Sequence, residues 1–227
     1  MLTWRSTAWR DPMIDRLNTI YLLYDQIMAS TAWACGPGCA RCCTCNVTLT
    51  GREARFMTTH LPLTRRRVVH TRILQKFPEK RYIPRMGVNR FARLCMEGAD
   101  LPEEENDPLW GKCPLLEDDL CTVYDVRPFG CRALISQTNC RDTGCAQMPP
   151  WALTVNNVFL QAIEHLDQRG YSGNLSDMLL ASLPGNDTKP APLFIKNEPI
   201  RCLMIPPEHL ERMGPLVKNL SEVLNAP

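Results

Sequence analysis

Five cysteines lie within eleven residues in the run CGPGCARCCTC, from Cys35 to Cys45, and two of them, Cys42 and Cys43, are adjacent. Core cysteines usually occur singly, so this density predicts either disulfides or metal thiolates. Disulfides fit the run poorly, because adjacent cysteines cannot bridge each other without strain and disulfide geometry is narrow. The Gly-Pro-Gly spacer at 36–38 predicts a flexible, non-helical loop in which several sulfurs can face one point. We therefore expect a metal–thiolate site.

The rest of the composition indicates a globular protein in a reducing compartment. The 227 residues are 44% hydrophobic, enough for one domain core, and no run approaches the roughly 20 apolar residues of a membrane span. The first residues, MLTWRSTAWRDP, lack the apolar segment of a signal peptide. We expect a cytoplasmic location, where clustered cysteines more often bind metal than form disulfides. The net charge of +2 does not predict binding to nucleic acid or a membrane.

The small net charge hides an uneven distribution. Between Gly51 and Arg93 there are 12 basic residues and two acidic ones, whereas residues 97–119 hold nine acidic residues and one lysine. Two interpretations follow. The stretches form solvated faces that attract each other, or the basic stretch serves an anionic target, either an acidic partner or an anionic cluster.

Periodicity predicts a mainly α-helical fold: a single small helical domain with a short β-hairpin, wrapped around the metallocluster. Thr50 and Glu53 form a T-x-x-E capping box at the start of one helix. Residues 1–183 are assigned to the metallocluster domain, and 184–227 to a proline-rich arm and a last helix. The predicted helices are Asp11–Ser30, with an apolar stripe; Thr50–Thr59; one capped by Thr64, with Val68, Val69, Ile73 and Phe77 inward; a short one at Phe91–Cys95; Pro150 to near Gly170; Asn174–Ser182; and Pro207–Asn225, interrupted at Gly214-Pro215.

A second cysteine-bearing stretch, KCPLLEDDLCTVYDVRPFGCR, runs from Lys112 to Arg132. Cys113 and Cys121 are predicted on two short strands around a Glu-Asp-Asp turn, which brings them close together. Pro128 suits the first turn of a helix that holds Cys131, and the positive end of a helix lowers a thiol pKa. Cys140 and Cys145 follow in a polar loop.

Iron–sulfur clusters and zinc both accept four thiolates, so the ligand type does not separate them. Iron–sulfur is favoured because Cys113 precedes a proline, as the last cysteine of the bacterial ferredoxin run does. The cysteines are also more numerous than the ligands that one zinc site can use. No histidine stands at zinc-finger spacing, and nearby arginines can offset the negative charge of a cluster. Zinc in all-cysteine sites remains the alternative.

Cys35-x3-Cys39-x2-Cys42 also has the spacing of radical S-adenosylmethionine enzymes. However, Arg41 stands where those enzymes have an aromatic residue, and the predicted helices do not form their barrel of alternating strands and helices.

Both blocks together resemble a known family. CGPGCARCC with VTLTGREA, and then CPLLEDDLCTVYDVRPFGCR, are similar to the YkgJ-type CxxCxxCC proteins, described as zinc- or iron-chelating domains. The resemblance covers roughly residues 35–56 and 112–132, and differs in having three residues, not two, between Cys35 and Cys39. It implies ligands at Cys35, Cys39, Cys42, Cys43, Cys113, Cys121 and Cys131.

Seven thiolates exceed the four that one cubane cluster needs. Either some are not ligands, or two clusters or one larger cluster are present, with Cys140, Cys145 or Cys45 completing the set. Cys95 and Cys202 have apolar neighbours and are expected to be ordinary buried thiols. Arg127 and Arg132 are candidates to hydrogen-bond cluster sulfurs or to pair with Asp125. The candidate cofactor and metal ligands are Cys35, Cys39, Cys42, Cys43, Cys113, Cys121, Cys131, Cys140 and Cys145.

The expected function is that of an iron–sulfur protein with one or more clusters of the 4Fe-4S type. Its role would be electron transfer to a redox partner protein, or redox support of a partner enzyme, because such a protein needs only to hold the cluster and tune its potential. One alternative is a zinc-binding structural or metal-trafficking module. Another, implied by the resemblance, is a cluster-dependent enzyme such as a methyltransferase-like relative, since the flagellin lysine methylases look similar in their cysteine set.

Overall fold

The computed structural model of the chain describes residues 11–183 and 193–226. It is mainly helical, with small antiparallel sheets. No helix in these two ranges is both long and apolar enough to cross a bilayer. The helices are α1 (Pro12–Met28), α2 (Gly51–His60), α3 (Leu63–Gln75), α4 (Val88–Glu97), α5 (Phe129–Arg132), α6 (Cys140–Thr143), α7 (Pro150–Leu166), α8 (Leu175–Ser182) and α9 (Leu210–Leu224). The strands are β1 (Thr48–Thr50), β2 (Leu116–Glu117), β3 (Leu120–Cys121), β4 (Tyr171–Asn174) and β5 (Ile195–Lys196).

Helix α1 forms where a cap and an apolar stripe agree. The Asp11 side chain accepts a hydrogen bond from the Met13 backbone N–H at 3.0 Å, and Pro12 takes the first helical position. The stripe packs against α2, α7 and α9, and the prediction of this helix is confirmed. Its buried residues are Ile14, Leu17, Ile20, Tyr21, Tyr24 and Met28.

The predicted capping box at the start of α2 is confirmed. The Glu53 backbone N–H donates to the Thr50 hydroxyl at 3.2 Å, and the Thr50 backbone N–H donates to Glu53 Oε2 at 2.8 Å. Only 3% of Glu53 is exposed, so its carboxylate is a buried group that must be satisfied inside the protein. Its second oxygen reaches a distant part of the chain, described below.

Two small antiparallel sheets organise the loops. In the larger sheet, β4 lies between β1 and β5, and Leu49 pairs with Gly173. In the smaller one, β2 and β3 form the predicted hairpin, and Cys121 pairs with Leu116. Asp118 and Asp119 form its two-residue turn with φ of 47° and 60°, and positive φ at both positions is typical of the hairpin turn that matches strand twist. The strands are shorter than predicted. Cys121 lies on β3 as expected, but Cys113 lies before β2 and not on it.

An aromatic group in the core connects α1, α5 and α7. The Tyr24 ring meets Phe129 and Phe159 edge to face, with centroid distances of 4.8 and 5.2 Å, and Phe129 stacks on Phe159 at 5.7 Å. Such pairs contribute about 0.5–1.5 kcal/mol each beyond the area they bury. Because Phe129 opens α5, this packing holds the helix that carries Cys131.

Three local predictions are wrong. Helix α3 begins at Leu63 after Pro62, so Thr64 lies inside the helix and does not cap it, and Val68 is 50% exposed. Helix α9 continues through Pro215, although the sequence predicts an interruption there. The lost backbone hydrogen bond is offset by burial of the apolar face of α9, which includes Leu216 and Leu220, against the core.

Parts of two other predictions lie outside the described residues. These are residues 1–10, where no signal segment is expected, and residues 184–192 of the predicted arm. Of the remaining arm, Ile195–Lys196 forms β5 and pairs with β4.

Candidate metal centre

Backbone pairing joins the two cysteine segments. The Cys113 N–H donates to the Cys43 carbonyl at 3.0 Å, the Cys45 N–H donates to the Gly111 carbonyl at 3.0 Å, and Thr44 forms an isolated β-bridge with Lys112. Cys43 and Cys113, which are 70 positions apart, are therefore held side by side by the main chain. This contact brings the second cysteine block to the first.

Helix α5 is fixed against the same region by a buried carboxylate. The Phe129 backbone N–H donates to Glu53 Oε1 at 2.7 Å, and the Tyr21 hydroxyl donates to the same oxygen at 2.9 Å. Gly130 lies so close to β1 that a Cβ there would stand 3.1 Å from the Thr48 carbonyl oxygen. A larger residue at position 130 would therefore have to displace β1 or α5 slightly, so glycine favours the close approach that places Cys131.

All seven cysteines of the CxxCxxCC resemblance line one cavity of about 290 Å³. Four come from the first cysteine segment, two from the hairpin region and one from α5. This is the convergence of distant segments that the sequence analysis expects. The lining thiols are those of Cys35, Cys39, Cys42, Cys43, Cys113, Cys121 and Cys131.

The thiols of this cavity perturb one another. The Cys42 and Cys43 thiols hydrogen-bond each other, which raises the pKa of Cys43 and lowers that of Cys42. Burial raises the pKa of Cys113 to about 11, and the nearby Cys121 thiol adds to the shift. Burial also raises the pKa of Cys131, with a further contribution from Cys113 and Cys121. Several thiols in one partly buried cavity resist joint ionisation, and a bound cation would remove that resistance.

The sulfurs are not arranged as the ligand shell of one ion. In the described ranges, no group of three or more histidine, cysteine, aspartate or glutamate side chains has a geometry that could hold a metal ion. A cysteine has one side-chain torsion that places its sulfur, so rotation between staggered rotamers moves Sγ while the backbone stays in place. The main chain therefore supplies the shared cavity, and side-chain rotation would have to complete a coordination shell.

The other cysteines lie in different surroundings. Cys45 is buried, and its thiol faces Asn46 Oδ1 and the Lys80 carbonyl instead of the cavity. Cys140 is buried at the start of α6, near enough to contribute to the raised pKa of Cys35, whereas Cys145 is exposed. Neither Cys140 nor Cys145 lines the cavity.

The prediction of a buried thiol at Cys95 is wrong. Cys95 is exposed, because it lies on the outer face of α4, while Asn89 and Ala92 are the buried residues of that helix. Cys202 is half-buried.

The apolar part of the cavity lining (the apolar wall) was not predicted from the sequence. It comes from the end of α1 and from the segments that follow α1 and α5. The one available signal was that the apolar stripe of α1 leads directly into the cysteine run. The apolar side chains in this wall are Tyr24, Met28, Trp33, Leu134 and Ile135.

Two arginines also line the cavity. Arg132 is paired: it donates to Asp25 Oδ2 at 3.2 Å and lies over the Tyr21 ring at 4.4 Å. Arg127 lies over the Tyr124 ring at 3.9 Å, and its Nε is buried without a hydrogen-bond partner. The expected pairing of Arg127 with Asp125 is not among the ion pairs of the described residues.

The basic and acidic stretches contact each other. Arg72 pairs with Glu117 at 2.5 Å, and the Arg85 backbone N–H donates to Glu104 at 2.9 Å. These contacts belong to the interpretation in which the two stretches attract each other.

No family model matches the chain, and no curated protein or solved structure is significantly similar to it. The YkgJ-type resemblance therefore stays a prediction that rests on the two cysteine blocks. The cavity itself is the feature that bears on function.

Proposed function

We propose that this chain is an iron–sulfur protein that holds one or more clusters of the 4Fe-4S type and transfers single electrons to a redox partner protein or supports a partner enzyme. The observation that carries this proposal is the lining of one cavity by seven cysteines from two distant segments. Thiolates are soft ligands that favour iron–sulfur clusters, zinc and copper(I) over hard cations. The number of thiols and the nearby cation favour an anionic cluster over one zinc ion.

The donor set fits such a group. Backbone hydrogen bonds hold Cys43 beside Cys113, Cys121 lies on the same hairpin region, and the Glu53 carboxylate fixes α5, which carries Cys131. Cys35, Cys39 and Cys42 line the same cavity from the adjoining loop. When bound, a cluster would supply a one-electron redox couple. The chain's own task is then to present thiolates, exclude water with the apolar wall, and set the local charge. A reducing, cytoplasmic setting suits both the free thiols and this chemistry.

A cluster-dependent enzyme is the second candidate, and the apolar wall favours it. Tyr24, Met28 and Trp33 line the cavity together with the cysteines, and apolar and aromatic side chains are typical of the lining of a small-molecule site. A pure electron carrier has no need for such a site. The zinc module remains the competing interpretation of the same thiols.

The test is the metal content of protein purified without oxygen. We expect iron and acid-labile sulfide in near-equal amounts, a broad visible absorbance band, and reversible one-electron reduction followed by electron paramagnetic resonance. The variants Cys43→Ala and Cys131→Ala should lose most of the iron and sulfide. Cys95→Ala should keep the wild-type content, because that thiol is exposed on α4.

Three results would decide against the proposal or redirect it. Unchanged iron and sulfide in both cavity variants would refute it. Stoichiometric zinc without sulfide would establish the zinc module instead. A cluster whose spectrum changes on addition of a small ligand, in a protein without reversible redox cycling, would favour the enzyme.

A further inference from the structure

Arg127 has an unusual position for a charged side chain. It lines the cysteine cavity, its side chain is half-buried, and its Nε has almost no solvent exposure and no hydrogen-bond partner. The guanidinium stacks on the Tyr124 ring at 3.9 Å. In the described part of the chain, no carboxylate forms an ion pair with it.

Two arginines with well-buried side chains, Arg81 and Arg132, pair with carboxylates of the chain. Arg81 forms a two-pronged contact with Asp177, with distances of 2.7 and 2.6 Å. Arg132 pairs with Asp25 and donates to the Arg127 carbonyl at 3.1 Å. A partly buried cation without a partner destabilises a fold, so an unpaired guanidinium at a cavity wall indicates a negative charge that comes from outside the chain's own carboxylates.

The thiols around Arg127 are the groups that could carry this negative charge. Arg127 lines the same cavity as Cys42, Cys121 and Cys131, which come from the first segment, the hairpin and α5. The Arg127 side chain therefore lies at the wall of a cavity that thiols of all three segments share, and not beside a single cysteine.

We propose that Arg127 is a positioning residue that supplies the counter-charge, and a free Nε–H donor, to the anionic metal–thiolate centre, and thereby raises its reduction potential. This inference rests on the proposed function. Reduction adds one negative charge to the cluster, and a nearby cation stabilises the reduced form more than the oxidised form. Hydrogen bonds to cluster sulfurs and the local charge are known determinants of such potentials.

The test compares three variants that keep all cysteines. Arg127→Gln removes the charge, Arg127→Lys keeps it without the planar fork, and Arg41→Gln removes an exposed charge from within the first cysteine segment. Reduction potentials are measured by anaerobic titration of the full chain, with the cluster quantified by iron, sulfide and electron paramagnetic resonance. We expect a clear negative shift for Arg127→Gln, a smaller negative shift for Arg127→Lys, and the wild-type potential for Arg41→Gln.

Each outcome bears on one of the two proposals. If wild type carries no iron and sulfide, the proposed function fails and this inference fails with it. If wild type carries a cluster and Arg127→Gln leaves its potential unchanged, the role of Arg127 is refuted while the proposed function stands. If Arg127→Gln loses the cluster, retention by Arg127→Lys supports the counter-charge, and equal loss in Arg127→Lys refutes it.

Discussion

Two regions of this protein treat their buried polar groups differently. On the sheet side, formed by β1, β4 and β5 with α4, α7 and α8, nearly all of the described buried polar side chains are satisfied within the chain, and the Ser176 hydroxyl is the exception. Asn174 Nδ2 donates to the Cys45 and Tyr82 carbonyls, and Glu164 accepts from the Asn89 and Glu198 backbone N–H groups at 2.9 and 2.8 Å. Apart from Ser176, these side chains need no ligand.

The cysteine cavity differs. It gathers seven thiols, burial raises the pKa of Cys35, Cys113, Cys121 and Cys131, and Arg127 Nε has no hydrogen-bond partner among the described residues. Yet the elements around it are well anchored, through Glu53, the Phe129 stack and the pairing of Cys43 with Cys113. The difference teaches that the unpaired guanidinium of Arg127 is not a sign of poor packing around the cavity. It lies where a metal centre would use it, whereas the other unpartnered buried side-chain atoms of the described residues, on Arg52, His70, Thr138 and Ser176, lie outside the cavity lining.

The largest effect is expected at Glu53, which connects both regions. Glu53→Ala leaves the Tyr21 hydroxyl and the Phe129 and Thr50 backbone N–H groups without their acceptor. Each buried unsatisfied donor costs about 1–3 kcal/mol, so we expect a loss of about 4 kcal/mol in the free energy of unfolding, measured with urea. Because α5 loses its anchor, iron content should fall as well.

The matched control for Glu53 is Glu97→Ala on α4. Glu97 is paired with Arg93 on the surface, so its removal should change stability by about 0.5 kcal/mol or less and leave the iron content unchanged. If Glu53→Ala were as mild as Glu97→Ala, the carboxylate would not be the link between α2 and α5.

Local sequence signals predicted elements well where two of them agree. Helix α1 has both a cap and a stripe, and α2 has a complete capping box, so both were placed within two residues of their observed ends. Where one signal stood alone, as at Thr64 or Pro215, tertiary packing overruled it. The larger sheet was not predicted, because strands of two to four residues are too short to show alternation.

The cysteine cavity was more predictable than the groups that support it. Thiol density and spacing identify the lining cysteines, since few other uses suit them. The hydrogen bond from the Phe129 N–H to Glu53 joins residues 76 positions apart, and no local sequence pattern at either residue predicts it. That Arg127 has no carboxylate partner among the described residues depends on the residues around it in the fold, and the sequence does not show them. Cys140 and Cys145 look alike in sequence, but a one-turn helix buries the first and leaves the second exposed.

A smaller, purely structural effect is expected at Asn174, on the sheet side. This fully buried side chain caps α8 by accepting from the Ser176 N–H at 3.0 Å, in addition to its two donated bonds. Asn174→Ala should lower the free energy of unfolding by about 2–3 kcal/mol, from the lost cap and the two carbonyls left unpaired. The exposed cap of α6 gives a control, because Asn139→Ala should cost about 0.5 kcal/mol.

The iron content of the Asn174→Ala variant tests whether the sheet side and the cavity are independent of each other. Folded Asn174→Ala protein, assayed at low temperature, should keep the wild-type ratio of iron to protein, because, although Asn174 contacts the first cysteine run through the Cys45 carbonyl, neither residue lines the cavity. A loss of iron in proportion to the loss of stability would show that the sheet side and the cavity are not separable.

The smallest expected effect is a pH dependence at Glu164. Burial raises the pKa of this carboxyl above its ordinary value of 4.5, although three backbone N–H groups oppose the shift. A carboxyl with a raised folded-state pKa stabilises the fold fully below its unfolded pKa, and this contribution is lost as pH rises through the folded pKa. Glu164→Gln stays neutral, so its stability relative to wild type should improve steadily as pH rises from about 4.5 towards neutrality. Urea unfolding of both proteins across this range measures the difference, and a difference independent of pH would mean that Glu164 stays ionised and is fully compensated by its backbone donors.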